Sequence, residues 1–374
     1  MTPLELMIHV LVFLAGLITI ILTLSSAVST FVLPRAARSQ LNRIVFGLLR
    51  RMINFLLHFA KTYPRRDTIM AYYAPVGLML LLPTWYVLIL AGYATIYWAL
   101  GMGNLFAVFR LSGSSLFTLG FDISKTPAVT AVAFTEAMIG LMLVGLLIAY
   151  LPTMYAAFSR REQAVNLLEV RAGSPPSALE MLLRFHRNQG LEKLSDYWQI
   201  WEAWFADIEE SHTTLPTLVF FRSPRPENSW VTAAGTILDA AAITLSAIDI
   251  PYEVSAALSI RAGFLALRRI ANYFDIPSPQ NPQYPAVPIC VERHEFEEVL
   301  ERLAAAGLPI KADREKAWQD FAGWRVNYDR ALILLCGLVM APQAPWSSDR
   351  APAFNPPPLL IFKKYKLLTS EKNI

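Results

Sequence analysis

Cysteine is scarce in this chain. Cys290 and Cys336 are the two present, and neither has a CxxC partner. A disulfide framework is not indicated by that spacing, and two free thiols are expected. Histidine is thin as well. His186, His212 and His294 stand apart, and the Glu295-Phe296-Glu297-Glu298 run after His294 does not make an HExxH zinc motif. Glycine-rich phosphate loops, a Gly-x-Ser-x-Gly elbow and a dinucleotide fingerprint are missing, so no enzyme is expected. Charge is sparse at 17%, against 55% hydrophobic residues and a net charge of +4. No Lys/Arg tract with interleaved aromatics offers a surface for nucleic acid.

What the chain has instead is long apolar runs. Mean hydropathy is +0.39, too high for a wholly soluble protein of 374 residues. Three segments, 4–33, 69–100 and 128–158, can cross a hydrocarbon core, which takes about 20 residues. The first lacks a basic n-region and exceeds the length of a signal h-region, so a retained helix is expected. Tyr93, Tyr97 and Trp98 fall where an interfacial aromatic belt belongs. Arg35, Arg38, Arg43, Arg50, Arg51, Lys61, Arg65 and Arg66 crowd the first connection against one acid, Asp67, while 101–127 holds Arg110 and Lys125. The positive-inside rule then puts the N-terminus outside and everything after Ser159 in the cytoplasm, the expected location being the plasma (inner) membrane.

Five regions are expected: an N-terminal span over 1–34, a basic amphipathic helix over 35–67, a central membrane module over 68–160, a helical cytoplasmic domain over 161–341, and a Pro-rich basic tail over 342–374. In the basic helix, Arg43, Gly47, Arg50, Asn54, His58 and Lys61 recur at three- and four-residue spacing, which suits anionic headgroups or packing on the membrane bundle. The cytoplasmic part reads as helices near 191–208, 229–248, 253–274, 292–306 and 312–340, with no alternating strand pattern. The run 231–248 could be taken for a fourth span, but Asp239 at its centre favours a buried helix of a soluble domain. Glu209-Glu210-Ser211-His212 could contact a metal, though a solvated helix end is the simpler reading. Arg222 and Arg225 offer guanidinium forks suited to an anionic ligand, or line a surface loop.

Between the second and third apolar runs lies Ser114-Ser115-Leu116-Phe117-Thr118-Leu119-Gly120-Phe121-Asp122. A polar loop at membrane depth is tolerated where it lines a water-filled cavity or is buried in protein. With Phe134-Thr135-Glu136-Ala137-Met138-Ile139-Gly140 and the helix beyond it, the loop resembles the pore module of two-helix, potassium-channel-like ion channels over about 90 residues. The resemblance implies an all-α membrane protein: a tetrameric helix–pore loop–helix module with an extra N-terminal transmembrane helix and an all-α cytoplasmic domain. It implies that Thr118 opens an extended carbonyl ladder, Leu119 adds a carbonyl, Gly120 permits the ladder's backbone, Phe121 braces it and Asp122 attracts cations.

The sequence departs from that family's filter in two places. The second glycine is absent, Asp122 following Phe121 directly, and Phe117 stands where a threonine is usual. A monovalent cation, potassium or sodium, is the implied permeant, with no other cofactor, and the shortened ladder removes the basis for assuming potassium preference. Arg110 is expected to pair with Asp122 or Glu136, and Glu136 to act either at the pore or as a hydrogen-bonding support behind the loop. Gly140 and Gly145 read as hinges or as close-packing positions, and Pro152 as a kink where an inner gate would lie. One loop per chain requires a homotetramer, with 177–341 as a gating domain for an unknown cytoplasmic ligand or protein. The rival expectation is a non-conducting membrane-anchored sensor or scaffold. A transporter is disfavoured because no inverted repeat is apparent.

Overall fold

The computed structural model describes residues 2–32, 39–124 and 126–351. Helices dominate these residues, and the one β-bridge among them joins Ile248 to Ile310. The chain divides into two compact units, Met1–Ile53 with Tyr72–Ala156, and Asn54–Ala71 with Ala157–Ile374. Four helical stretches are long and apolar enough to cross a membrane: Pro3–Phe31, Tyr63–Ala99, Pro127–Ala172 and Trp230–Ala247.

In the first unit α1 (Pro3–Phe31) opens on a capping box, Thr2 receiving the Glu5 amide and Glu5 receiving the Thr2 amide, with Pro3 in the first turn. Of α2 (Gln40–Phe59), residues up to Ile53 belong here. Small residues let α1 approach α4 (Tyr73–Ala99) closely. A Cβ added at Gly16 would lie 2.6 Å from the Gly92 carbonyl oxygen, and one at Gly92 would lie 2.8 Å from Ile20. Trp85 of α4 is fully buried, and its indole donates to Ser26 at 3.2 Å. Then come the short α5 (Leu105–Leu116) and the 46-residue α6 (Pro127–Ala172).

The basic connection was expected as one helix over 35–67. It is two, because α2 ends at Phe59 and α3 (Tyr63–Ala71) begins after a break that Arg66 stabilises by donating to the Ala60 carbonyl at 2.9 Å. Residues 54–71 fold with the second unit, so the expected boundaries at 67 and 160 move to 71 and 156. Arg35, Arg38, Lys125 and the tail beyond 351 lie outside the described residues.

The second unit adds α7 (Ala178–Arg187), α8 (Leu194–Thr214), α9 (Trp230–Ala247), α10 (Val254–Tyr273), α11 (Arg293–Ala305), α12 (Arg314–Arg325) and α13 (Asp329–Val339). Every residue of α9 is buried, with α7, α10, α12 and α13 packed about it. Asp239 accepts from Arg325 and from the Tyr328 hydroxyl at 2.8 Å, and Arg325 also donates to Asp329 at 2.8 Å. Burial raises the Asp239 carboxyl to about 6, with the Arg325 guanidinium opposing the rise. A helix so enclosed by protein, with its one charge paired, is a domain core despite its apolar composition. The expected 312–340 run splits at 326–328, where the Asn327 amide donates to the Gly323 and Trp324 carbonyls and closes α12. Cys290 and Cys336 are free, as expected.

Candidate functional site

Asn104 caps α5 by accepting the Ala107 amide at 2.9 Å. Twelve residues rise about 18 Å, too short to cross a hydrocarbon core. The helix packs on α4, where Ser112 donates to the Leu90 carbonyl at 3.1 Å; Val108, Leu111, Ser112 and Leu116 are buried, while Leu105, Phe106 and Phe109 are exposed.

Behind α5 sits a fully buried carboxylate. Glu136 of α6 has one oxygen 2.5 Å from the Ser112 hydroxyl, and its other oxygen accepts from the Tyr97 hydroxyl at 2.8 Å. Three elements therefore meet at one side chain, and Glu136 takes the supporting role rather than a place in an open passage. Tyr97, read from sequence as part of an interfacial belt, is fully buried and belongs to this network. Tyr86 donates to the Gly140 carbonyl at 2.7 Å, and Tyr93 lies 2.9 Å from the Thr135 hydroxyl. Sequence reasoning missed Ser112, Tyr86 and the inward role of Tyr97. A hydroxyl at mid-helix and a carboxylate 24 residues later were the available signal.

Gly140 is a packing position. A Cβ there would fall 2.3 Å from the Leu116 carbonyl oxygen. At Gly145 a Cβ would meet nothing within 4 Å, so packing does not demand glycine. Helix α6 continues through Pro152 to Ala172, so the proline does not end it.

The loop departs from an extended ladder at its first residue. Thr118 has φ 54°, its amide donates to Ser115 at 3.0 Å, and the Leu119 amide donates to Ser114 at 2.8 Å. This is the paired-bond cap that ends helices, with Thr118 in the position glycine normally fills. Gly120 follows with φ 70°, where glycine fits without strain. The segment 117–122 is accordingly a series of turns and bends. Ser114 clips it from inside, its hydroxyl accepting the Asp122 amide at 3.0 Å. Phe117, Thr118, Leu119, Gly120 and Phe121 are exposed on the single chain.

Arg110 lies 3.5 Å from Asp122, one of the two partners expected, and close to the rings of Phe106 and Phe121 at 5.8 and 5.7 Å. The pair is half-exposed, so the acid expected to attract cations has a cation beside it.

In the second unit the guanidinium forks are already used. Arg222 binds Asp67, the Tyr63 hydroxyl and the Met340 carbonyl, and Arg225 binds both oxygens of Glu169 at 2.7 and 2.8 Å. Both guanidinium groups thus have protein partners in the second unit. His212, considered as a metal ligand, is buried against Arg161 at 3.3 Å, and Glu209 pairs with Arg269. Burial and the Arg161 charge hold the His212 imidazole well below 6.5. No group of three potential ligands occurs among the described residues. Comparison of the chain with protein-family models, with curated proteins and with solved structures gives no match.

Proposed function

We propose that the chain is one subunit of a membrane pore for monovalent cations, assembled from four copies around the 117–122 loop. The observation that carries this reading is a half-length helix braced from behind. Helix α5 is too short to span, its Ser112 is locked to Glu136, which also accepts from Tyr97, and the loop after it is exposed rather than covered by its own chain. The negative end of the α5 dipole and the carbonyls of 117–121 then form an electronegative rim that four copies would close around an ion. The first, second and third apolar stretches serve as spans, with the α5 side outward and the residues after Ser159 cytoplasmic. Regulation would enter where α6 continues into the second unit as far as Ala172.

One observation favours a second reading, a non-conducting membrane-anchored sensor. Thr118 closes a helix cap, so the ladder is short of its first residue as well as its last glycine. Purified protein in liposomes decides between them by potassium, sodium and anion flux, with chemical cross-linking to count copies. Cation flux that changes on Gly120→Ala, in a tetramer, supports the pore. An intact tetramer without flux supports the sensor, and a clean monomer or dimer overturns the pore.

A further inference from the structure

Along α2, Val45, Leu49, Ile53 and Leu57 are buried, whereas the neighbouring arc of Ile44, Leu48, Met52, Phe55 and Phe59 is exposed. Phe55 and Phe59 are 66% and 67% exposed, and their rings meet edge to face at 5.2 Å. With Ile44, Leu48 and Met52 they form a contiguous exposed apolar strip, the kind of surface that marks an interaction site. Directly after them come Lys61, Arg65 and Arg66, all exposed. None of the three is in an ion pair among the described residues. Over 40–71 the sole acid is Asp67, and Arg222 has taken it.

We infer that the 55–66 segment of the second unit is a docking surface for anionic phospholipid. Phe55 and Phe59 enter the acyl boundary, and Lys61, Arg65 and Arg66 hold the headgroup phosphates. The chemistry selects this occupant. Apolar rings flanked by acid-free cations match the interface of an anionic bilayer, where each basic side chain strengthens surface binding on the order of fivefold. A second copy in a two-fold contact would set the same cations against each other. The inference uses the membrane part of the reading above and is independent of conduction.

The test is an environment-sensitive dye on Phe59→Cys in a Cys290→Ser background, since Cys336 is buried and unreactive. The full chain is reconstituted in phosphatidylcholine alone or with phosphatidylglycerol, using acyl-brominated lipids as quenchers. Quenching should be greater in the anionic bilayer, weaken with salt, and lose its lipid dependence in Lys61→Gln/Arg65→Gln/Arg66→Gln. Equal quenching in both bilayers, or a dye shielded from lipid and from an aqueous quencher alike, overturns the inference. Native mass spectrometry of the unlabelled protein gives an independent reading. The wild type should retain phosphatidylglycerol over phosphatidylcholine and the triple variant should not, and equal retention by both proteins rejects the site. Either readout stands whether or not the liposomes pass ions.

Discussion

Arg222 donates to Asp67 at 2.6 Å across 155 residues of sequence, joining the loop after α8 to α3. Both side chains are largely buried, and Arg222 reaches the Tyr63 hydroxyl and the Met340 carbonyl from the same position. Next to it in sequence, the Phe221 carbonyl accepts from Arg161 of α6 at 2.7 Å, and Leu218 accepts from the same guanidinium at 2.8 Å. One short loop thus grips both the stem that leads into α4 and the stem that continues α6.

Removing one partner of a buried pair leaves the other charge unpaired, which costs about 3–5 kcal/mol. Arg222→Ala should lower stability by that order, and Asp67→Ala/Arg222→Ala should recover part of it. Thermal unfolding of the four proteins of this cycle checks the coupling. Additive losses would show that the contact is not an energetic unit.

Gly140 and Gly145 should part company under the same substitution. Gly140→Ala drives a methyl into the Leu116 carbonyl, and overpacking of that kind costs about 1–3 kcal/mol and tilts α5 off its seat. Gly145→Ala meets open space and gains about 1 kcal/mol of helix propensity. Thermal stability in detergent should fall for the first and hold or rise for the second. The reverse order would remove the packing assignment.

The apolar runs, the buried character of α9 and the pairing of Arg110 were legible in the sequence, because length, a central Asp and charge sign are local properties. Asp239 shows why the partner was not: Arg325 lies 86 residues away and no pattern announces it. The split of the basic connection was hidden for a related reason. Helical spacing continues through 60–62, and 54–71 is tied to the second unit by long-range contacts, Asp67 and Tyr63 to Arg222 and Tyr63 to the Met340 carbonyl. At the loop the motif misled in one respect. The extended ladder is read from side-chain types, whereas the backbone ends α5 first with a cap that uses Thr118.

That cap makes a specific claim about Thr118. A β-branched residue at φ 54° sits in a region that glycine occupies without penalty, and such strain costs on the order of 1–3 kcal/mol. Thr118→Gly should stabilise the loop, and Thr118→Val should destabilise it at nearly constant volume. Hydrogen exchange of the Leu119 amide reads the effect, because its bond to Ser114 closes the cap. Faster exchange in the glycine variant would reject the left-handed cap.

His212 gives the second unit a pH dependence with a defined sign. Arg161 has donors only, so the imidazole nitrogen facing it must accept, and the ring's other nitrogen donates toward Ser211 at 3.0 Å. Burial, followed by the neighbouring guanidinium, holds the folded ring neutral well below 6.5, while the unfolded chain takes up its proton on passing that value. The unfolded state therefore binds more protons than the folded one below pH 6.5, and stability drops as pH falls, by about 1.4 kcal/mol per unit until the folded ring itself protonates. Denaturant midpoints for wild type and His212→Gln between pH 7.5 and pH 5.5, the two limits taken as roughly one unit above and below the transition, measure this. Over the lower half of that range the wild type should fall relative to the glutamine variant, a difference that isolates His212 from the opposite-signed proton uptake at Asp239, whose folded carboxyl is raised to about 6 in both proteins. Parallel profiles would mean that His212 is solvated and that Arg161 is held by Glu162 and the Leu218 and Phe221 carbonyls without it.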